Sequence, residues 1–474
     1  MRSLERINEY VLSVCQQIRW KKAHMRVLDE MTNHIIDGRD SYINQGFDEQ
    51  TATEKAIIDT GDASVIGTEL DRIHRPKSQW VMFIWVAGFV FAGLAISLFV
   101  FGNENISNRL LWTAIGAVLM VGAYFADFTI LGKHPWKVCL GIVLFALIIF
   151  SRQISFLGMG HTATIQAIVL LFPIAYAPVI FASKGKGYLG IVTCLLAYGL
   201  LCIAAFEAPA MSGFLHFVII GKMLLIVAIL RNWFGVNRVV GILLALVPYA
   251  CIFAFLIFHH WQGSYFTIRL INAFFPRRNP QGAGFIALVI WEILGNATLL
   301  GEGAVPGFNQ TLSWLQLPLS WLYSDFILST IISRFGWLIF ALTMGVILLF
   351  MANIIVRCVK LKSDLGFFVS TAVALTILVQ IFMYVLSNLG YIFAIISLPL
   401  ISPGNTAMVI NMGIIGFMLS VFRTGVVATD KNAMPATREN GVFTWHNGKL
   451  TIDFGYRRRT TNPKDTKLFQ IHKT

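Results

Sequence analysis

Carboxylates are scarce along most of this chain: of 24 Asp and Glu in 474 residues, 13 fall in the first 78 and only seven between Gln79 and Gly425. Charged residues of both signs make up 13% of the sequence against 56% hydrophobic residues. That is too little charge to solvate the surface of a soluble protein of this size, so a bilayer must be the solvent for most of the chain. Cysteine is sparse and unpatterned. Cys15, Cys139, Cys194, Cys202, Cys251 and Cys358 show no CxxC spacing, and five lie in or beside apolar segments, which argues against a disulfide framework or a cysteine-based metal site. No Walker loop, HExxH motif, GxSxG elbow or dinucleotide fingerprint occurs, so ATP-driven transport by this chain alone is not expected. No secretory signal opens the sequence: the first apolar run long enough to span begins near Trp80.

What is present divides into three parts. Residues 1–78 are expected to form a small cytoplasmic helical domain, since Leu4, Ile7, Val11, Val14 and Ile18 recur at helical spacing on a polar background. Further short helices are expected around His24 to Asp37 and Asp48 to Thr60. The stretch from Ile35 to His74, with its Gly46-Phe47-Asp48-Glu49-Gln50-Thr51-Ala52 turn and Gly61-Asp62, resembles the helical prefix ahead of many permease-like membrane proteins of Gram-positive bacteria. Residues 79–425 hold apolar runs near 81–101, 110–128, 138–150, 165–182, 189–206, 215–230, 239–258, 326–352, 367–390 and 407–422, which predict about ten transmembrane helices. Residues 426–474 form a basic tail in which Val442-Phe443-Thr444-Trp445 and Leu450-Thr451-Ile452-Asp453-Phe454 flank Asn447-Gly448, the signature of a β-hairpin. The Arg457-Arg458-Arg459 triplet that follows reads first as a lipid-headgroup contact or solvated face.

The formal net charge of +13 sits mainly in this tail and in short loops between apolar runs, so it marks topology and contact with anionic membrane lipids rather than nucleic acid. Lys133 and Lys137, Lys184 and Lys186, Arg231 and Arg238, and Arg357, Lys360 and Lys362 fall in alternate loops, while the intervening short loops hold only Arg109 and Arg152. With an even number of spans, the positive-inside rule puts both termini in the cytoplasm. The long segment from His259 to Asp325 is then extracytoplasmic, after the seventh span. Its prolines, glycines and semi-apolar stretch from Phe285 to Leu300 suggest a segment that re-enters the membrane or packs on it.

Ionisable groups near the membrane are the functional candidates. Asp325, in Tyr323-Ser324-Asp325-Phe326-Ile327, stands at the mouth of a transmembrane helix, where partial burial suits a general base and where a helix cap is the plainer alternative. Glu302, in Gly301-Glu302-Gly303, is either a cation or substrate contact or an exposed loop carboxylate. Arg269, Arg277 and Arg278 carry forked donors that match pyrophosphate oxygens, or serve as interfacial anchors. The pair His259-His260 reads as an interface pair before it reads as a metal site.

Four stretches resemble, in order, the FtsW/RodA/SpoVE proteins, also called SEDS. The first is Arg269-Leu270 through Pro276 and Pro280-Gln281-Gly282-Ala283-Gly284-Phe285. The second is Ile293-Leu294-Gly295-Asn296-Ala297 with Gly301-Glu302-Gly303, similar to the family's "GSGG…GKG". Leu317-Pro318, Ser324-Asp325-Phe326-Ile327 and Phe335-Gly336 form the third, similar to "LP…TDFIF…LG". The fourth is Gln380, Gly390 and Leu398-Pro399-Leu400-Ile401-Ser402-Pro403-Gly404-Asn405-Thr406, similar to "Q…G…LPFxSYGGSS" with spacing one residue off. Other motifs depart: "QPSE" finds only Gln166-Ala167-Ile168-Val169, "PDLG" becomes Pro209-Ala210-Met211-Ser212, Ser333-Arg334 replaces an acidic pair, and "RW" is matched only by Arg152-Gln153.

The resemblance implies an all-α polytopic protein of the bacterial plasma membrane that polymerises lipid II, the undecaprenyl-pyrophosphate-linked disaccharide of cell wall synthesis. It assigns Asp325 as catalytic base, and Arg269, Arg277, Arg278, Glu302, Ser402 and Asn405 as substrate contacts. No metal ligand and no cofactor are implied, with a divalent cation left open. The implied partners are a class B penicillin-binding transpeptidase and other division or elongation proteins, in division, elongation or sporulation. Two other classes stay open: a catalytically degenerate SEDS-like scaffold, which the lost carboxylates favour, and a lipid flippase or transporter, for which Lys222 is the ionisable candidate within an apolar run.

Overall fold

The computed structural model describes residues 2–74, 78–101, 106–151, 166–206, 211–246, 265–303, 326–391, 396–402, 405–425, 443–446 and 449–452. The first four helices are α1 (Arg2–Gln16), α2 (His24–Asn44), α3 (Glu49–Thr60) and α4 (Ala63–His74). Ile7, Val11, Val14 and Ile18 are buried with Val27, Ile35 and Ala56 in a separate apolar cluster, as the helical spacing requires, whereas Leu4 faces outward. Asp48 caps α3 by accepting the Thr51 N–H at 3.1 Å. Asp62, just before α4, accepts the Ser64 N–H at 2.6 Å. These bonds, from the Thr51 and Ser64 side first, hold both carboxyls below the usual carboxylate range.

The membrane region opens with α5 (Trp80–Phe101), α6 (Ile106–Phe125), the short α7 (Thr129–Lys133) and α8 (Pro135–Ser151). It continues through α9 (Phe172–Ala182), α10 (Gly187–Phe206) and α11 (Met211–Leu230). The run predicted at 239–258 is described only to residue 246, where it is helical. After α12 (Tyr265–Phe274) and α13 (Phe285–Gly295) come α14 (Ile327–Phe335), α15 (Trp337–Val359), α16 (Asp364–Asn388) and α17 (Asn405–Thr424). Among the described residues seven helices are long and apolar enough to cross a bilayer. The protein is a multi-pass, all-α membrane protein.

Burial sorts these helices. In α16 and α17, 72% of the apolar window is inside the protein, against 17% in α6 and 22% in α15. The α17 helix lies along α6 so closely that a Cβ on Gly416 would collide with the Met120 backbone, and one on Gly116 with the Met412 side chain. Small residues at such crossings let backbones approach where lipid offers no hydrophobic drive to associate.

Two expectations need correction. The single span at 326–352 is two helices, broken at Gly336, whose φ of +89° and whose approach to Leu299 O, 2.6 Å from a Cβ placed there, exclude a side chain. Arg109, assigned to an outer loop, lies inside α6 and is buried. Its guanidinium is tolerated there because Nη2 donates to the Ile401 carbonyl at 2.5 Å.

The tail, Met434–Thr474, is a separate unit. In it β1 (Phe443–His446) pairs antiparallel with β2 (Lys449–Ile452), Phe443 opposite Ile452 and His446 opposite Lys449. The Asn447-Gly448 turn itself lies outside the described residues.

Candidate functional site

Asp325 lies outside the described residues, but the helix it leads into is fully described. Phe326 is buried against Val289 and Ile290 of α13. The first turn of α14 needs partners for N–H groups that no helical carbonyl can reach. Tyr384 Oη accepts from Ile327 N at 3.1 Å and Asn388 Oδ1 accepts from Ser329 N at 3.1 Å. Ser329 Oγ donates to the Asn388 carbonyl at 2.6 Å, and Asn388 Nδ2 donates to Tyr384 O at 2.9 Å. Two of the donors that a capping side chain would use are therefore already taken by α16.

The segment after α13 wraps the far end of α14. Gly301 N donates to Phe335 O at 3.2 Å and Gly303 N to Ser333 O at 2.8 Å, while Trp337 N and Leu338 N donate to Thr298 O and Leu299 O at 3.1 and 3.0 Å. At the end of α16, Trp291 Nε1 donates to Leu389 O at 3.2 Å. Gly390, at φ +90°, leaves space for the Trp291 indole, with which a Cβ there would collide. Gln380 Nε2 reaches Ser397 O at 3.0 Å. The described parts of the second and third stretches thus touch at α14, Phe285 of the first packs in the same apolar cluster as Phe326, and Gly390 of the fourth meets α13 through Trp291. With 11 and 9 residues, α13 and α14 rise only about 16 and 14 Å, too short to span. The first lies within the semi-apolar stretch 285–300 of the loop, the second at the start of the span predicted from residue 326.

The individual candidates are placed as follows. Arg269 lies on α12, where only its backbone is described. Arg277 and Arg278 are exposed on a 3-10 turn after α12, with the Arg278 guanidinium 5.4 Å from the Phe275 ring centroid. Glu302 is exposed beside buried Gly303. Ser402 is buried at the end of the Leu398–Ile401 turn, its N–H donating to Leu398 O at 3.1 Å. Asn405 begins α17, again with only its backbone described. No hydrogen bond or ion pair joins Arg277, Arg278 or Glu302 to one another among the described residues.

Four residues that hold the backbone of this region were not singled out from sequence. Arg109 fixes the turn that carries Ser402, in a joint where a Cβ on Gly93 would stand 2.8 Å from Ile401 O and 3.0 Å from Arg109 Nη2. Tyr384, Asn388 and Ser329 form the network on α14. The only sequence signal for Arg109 was a cation at the start of an apolar run.

The departures also meet. Gln166 Nε2 donates to Ser212 Oγ at 2.8 Å, and a Cβ on Gly213 would be 3.4 Å from Val169. The described remnants of "QPSE" and "PDLG" are in contact, with buried Val169 at the glutamate position of the family pattern.

No family model matches the chain. Two curated relatives do. "Probable peptidoglycan glycosyltransferase FtsW" of Geobacter sp. (strain M18) is 22% identical over 335 residues, 67% of this chain and 86% of the relative. The protein of the same name from Geobacter metallireducens is 23% identical over 348 residues, 68% of this chain and 85% of that one. Over two thirds of its length the chain is thus similar to proteins named FtsW, at 22% and 23% identity. The fold is also matched by a solved structure: one chain of a peptidoglycan synthase complex, described as coordinating polymerization and crosslinking, superposes with a TM-score of 0.55 over 73% of this chain and 98% of its own length at 15% identity.

Proposed function

We propose that this protein is a membrane peptidoglycan glycosyltransferase that polymerises lipid II. The observation that carries the reading is the contact of the second and third SEDS-like stretches at α14, the helix whose first residue follows Asp325 by two positions, with Phe285 of the first stretch packed in the same apolar cluster as Phe326. In the proposed reaction Asp325 takes the proton of an acceptor sugar hydroxyl. The freed oxygen forms a bond to the anomeric carbon of the donor, and the bond from that carbon to undecaprenyl pyrophosphate breaks, the pyrophosphate leaving with the electron pair. Arg269, Arg277 and Arg278 support the pyrophosphate charge, and Glu302, Ser402 and Asn405 orient the sugar. No cofactor is part of the proposal. The protein sits in the bacterial plasma membrane with both termini cytoplasmic and works with a class B penicillin-binding transpeptidase.

The test is polymerisation of purified lipid II in liposomes, with and without candidate transpeptidases, for wild type and Asp325→Asn. Glycan chains from wild type and none from the variant are expected. Equal chain formation by both removes Asp325 as the base. No chains from either, under conditions where another SEDS protein polymerises, leaves the scaffold reading, which the neutral Gln166–Ser212 pair favours.

A further inference from the structure

The first turn of α14 lies inside the protein: Phe326, Ile327, Leu328 and Ser329 are at most 2% exposed, as are Tyr384 and Asn388 on the facing helix. In such surroundings each N–H left without a partner costs on the order of 1–3 kcal/mol, and lipid offers no water to substitute. The chain meets that demand with side chains from α16 rather than with a cap from its own sequence. Phe326 makes no side-chain cap, and the only backbone bond that closes the turn from it is Thr330 N to Phe326 O at 3.1 Å.

The arrangement is stiffer than a cap. Asn388 uses three groups at once: Oδ1 receives Ser329 N, its backbone carbonyl receives Ser329 Oγ, and Nδ2 returns to Tyr384 O one turn earlier. Tyr384 Oη receives Ile327 N. Rotation of α14 about its axis, or a slide along α16, would break these bonds together. One turn further, Leu389 and Gly390 hold Trp291 of α13. The end of α16 therefore grips both short helices at one place.

We infer that Tyr384, Asn388 and Ser329 are positioning residues for the proposed reaction, locking the first turn of α14 and with it the backbone to which Asp325 is bonded. This rests on the polymerase reading. A general base must stand within hydrogen-bond reach of the hydroxyl it deprotonates, and a displacement near 1 Å costs about 100-fold in rate. The locked turn begins two residues after Asp325 in the sequence, so loosening it is expected to cost rate. All three side chains are buried from the surface, so the grip is expected to act on turnover and not on affinity.

The experiment compares full-length wild type with Asn388→Ala, Tyr384→Phe, Ser329→Ala and Ser329→Thr in liposomes. It measures kcat and KM for lipid II, together with hydrogen exchange of the peptide covering 326–335. Asn388→Ala is expected to lower kcat by about 10–100-fold with KM within about twofold, and to speed exchange at the start of α14. Tyr384→Phe and Ser329→Ala are expected to follow with smaller losses, and Ser329→Thr, which keeps the hydroxyl, to restore most of the rate. Faster exchange with unchanged kcat overturns the inference, because the turn would then be loosened without consequence. So does a fall in kcat that Ser329→Thr shares with Ser329→Ala, or a change confined to KM. Should Asn388→Ala fail to fold, the Tyr384→Phe and Ser329 pair decides alone. A wild type that forms no glycan sinks the polymerase reading and this inference with it, whereas an active wild type with equally active variants sinks only the inference.

Discussion

The prefix helices and the membrane helices bury opposite things. In α1 to α4 the interior is Ile7, Val11, Val14, Ile18, Val27 and Ile35, and the carboxylates and basic groups face out. In α15 to α17 the outside is Leu342, Leu348 and Leu349, while Ser370, Thr376, Gln380, Asn388, Asn411 and Ser420 are fully or almost fully buried. Water drives the first arrangement through apolar burial, at roughly 1.5–3 kcal/mol for each fully buried aliphatic side chain. In the second, lipid is as apolar as leucine. Close backbone contact and interhelical hydrogen bonds then have to do the work. Position in the chain, not residue type, decides which side chains hold the structure together.

The comparison is broken most severely at the α6–α17 crossing. Gly416→Val pushes a side chain into the Met120 backbone and should destabilise the membrane region by about 3 kcal/mol, seen as a lower thermal midpoint in detergent with the prefix helices intact. Next is Arg109→Met. The lost bond to Ile401 is offset in stability by removal of a desolvated cation, so the midpoint should move little. The Leu398–Ile401 turn nevertheless loses its anchor, and glycan synthesis should fall about tenfold, roughly 1.4 kcal/mol in barrier. Loss of stability without loss of rate would refute that role.

Acid should separate the two regions. The Asp48 and Asp62 carboxyls titrate below the ordinary value in the folded prefix because of their bonds to Thr51 and Ser64, so the fold favours their ionised forms. Their contribution is complete above the unfolded carboxylate pKa of about 3.9 and is lost as pH falls through the lower, folded value. Hydrogen exchange across 48–66, corrected for intrinsic rate, should accelerate on acidification in wild type and respond less in Asp48→Ala and Asp62→Ala. The smallest effect is expected for Gln380→Leu. It frees Ser397 O but also removes a buried Oε1 that has no partner, so the thermal midpoint should change by no more than about 1 kcal/mol equivalent.

Sequence carried the prefix well because helical periodicity shows against a polar background, as in Ile7, Val11 and Val14. The tail hairpin was equally plain from Asn447-Gly448, and the spans from hydropathy alone. Inside an all-apolar run there is no period to interrupt, which is why the break at Gly336 was invisible. At the site, the four motif stretches could be ordered in sequence, but the contact of Gly301 and Gly303 with the end of α14 could not. Arg109 was misplaced because its partner, Ile401, lies 292 residues away. Tyr384 and Asn388 sit in an ordinary apolar helix, and nothing local marks the N–H groups they serve.

The separation between Arg109 and Ile401 also sets an order of manufacture. A ribosome adding 5–20 residues per second needs about 15–60 s to travel from one to the other. During that interval α5 and α6 exist without the helix that covers their inner faces. Arg109 lacks the carbonyl that receives it, and Ala126 O lacks the Ser420 hydroxyl that donates to it in the finished protein. The first two spans must therefore be kept hydrated, or sheltered by insertion machinery, until the last one arrives. A chain ended before Ile401 would leave the Arg109 guanidinium without its carbonyl acceptor.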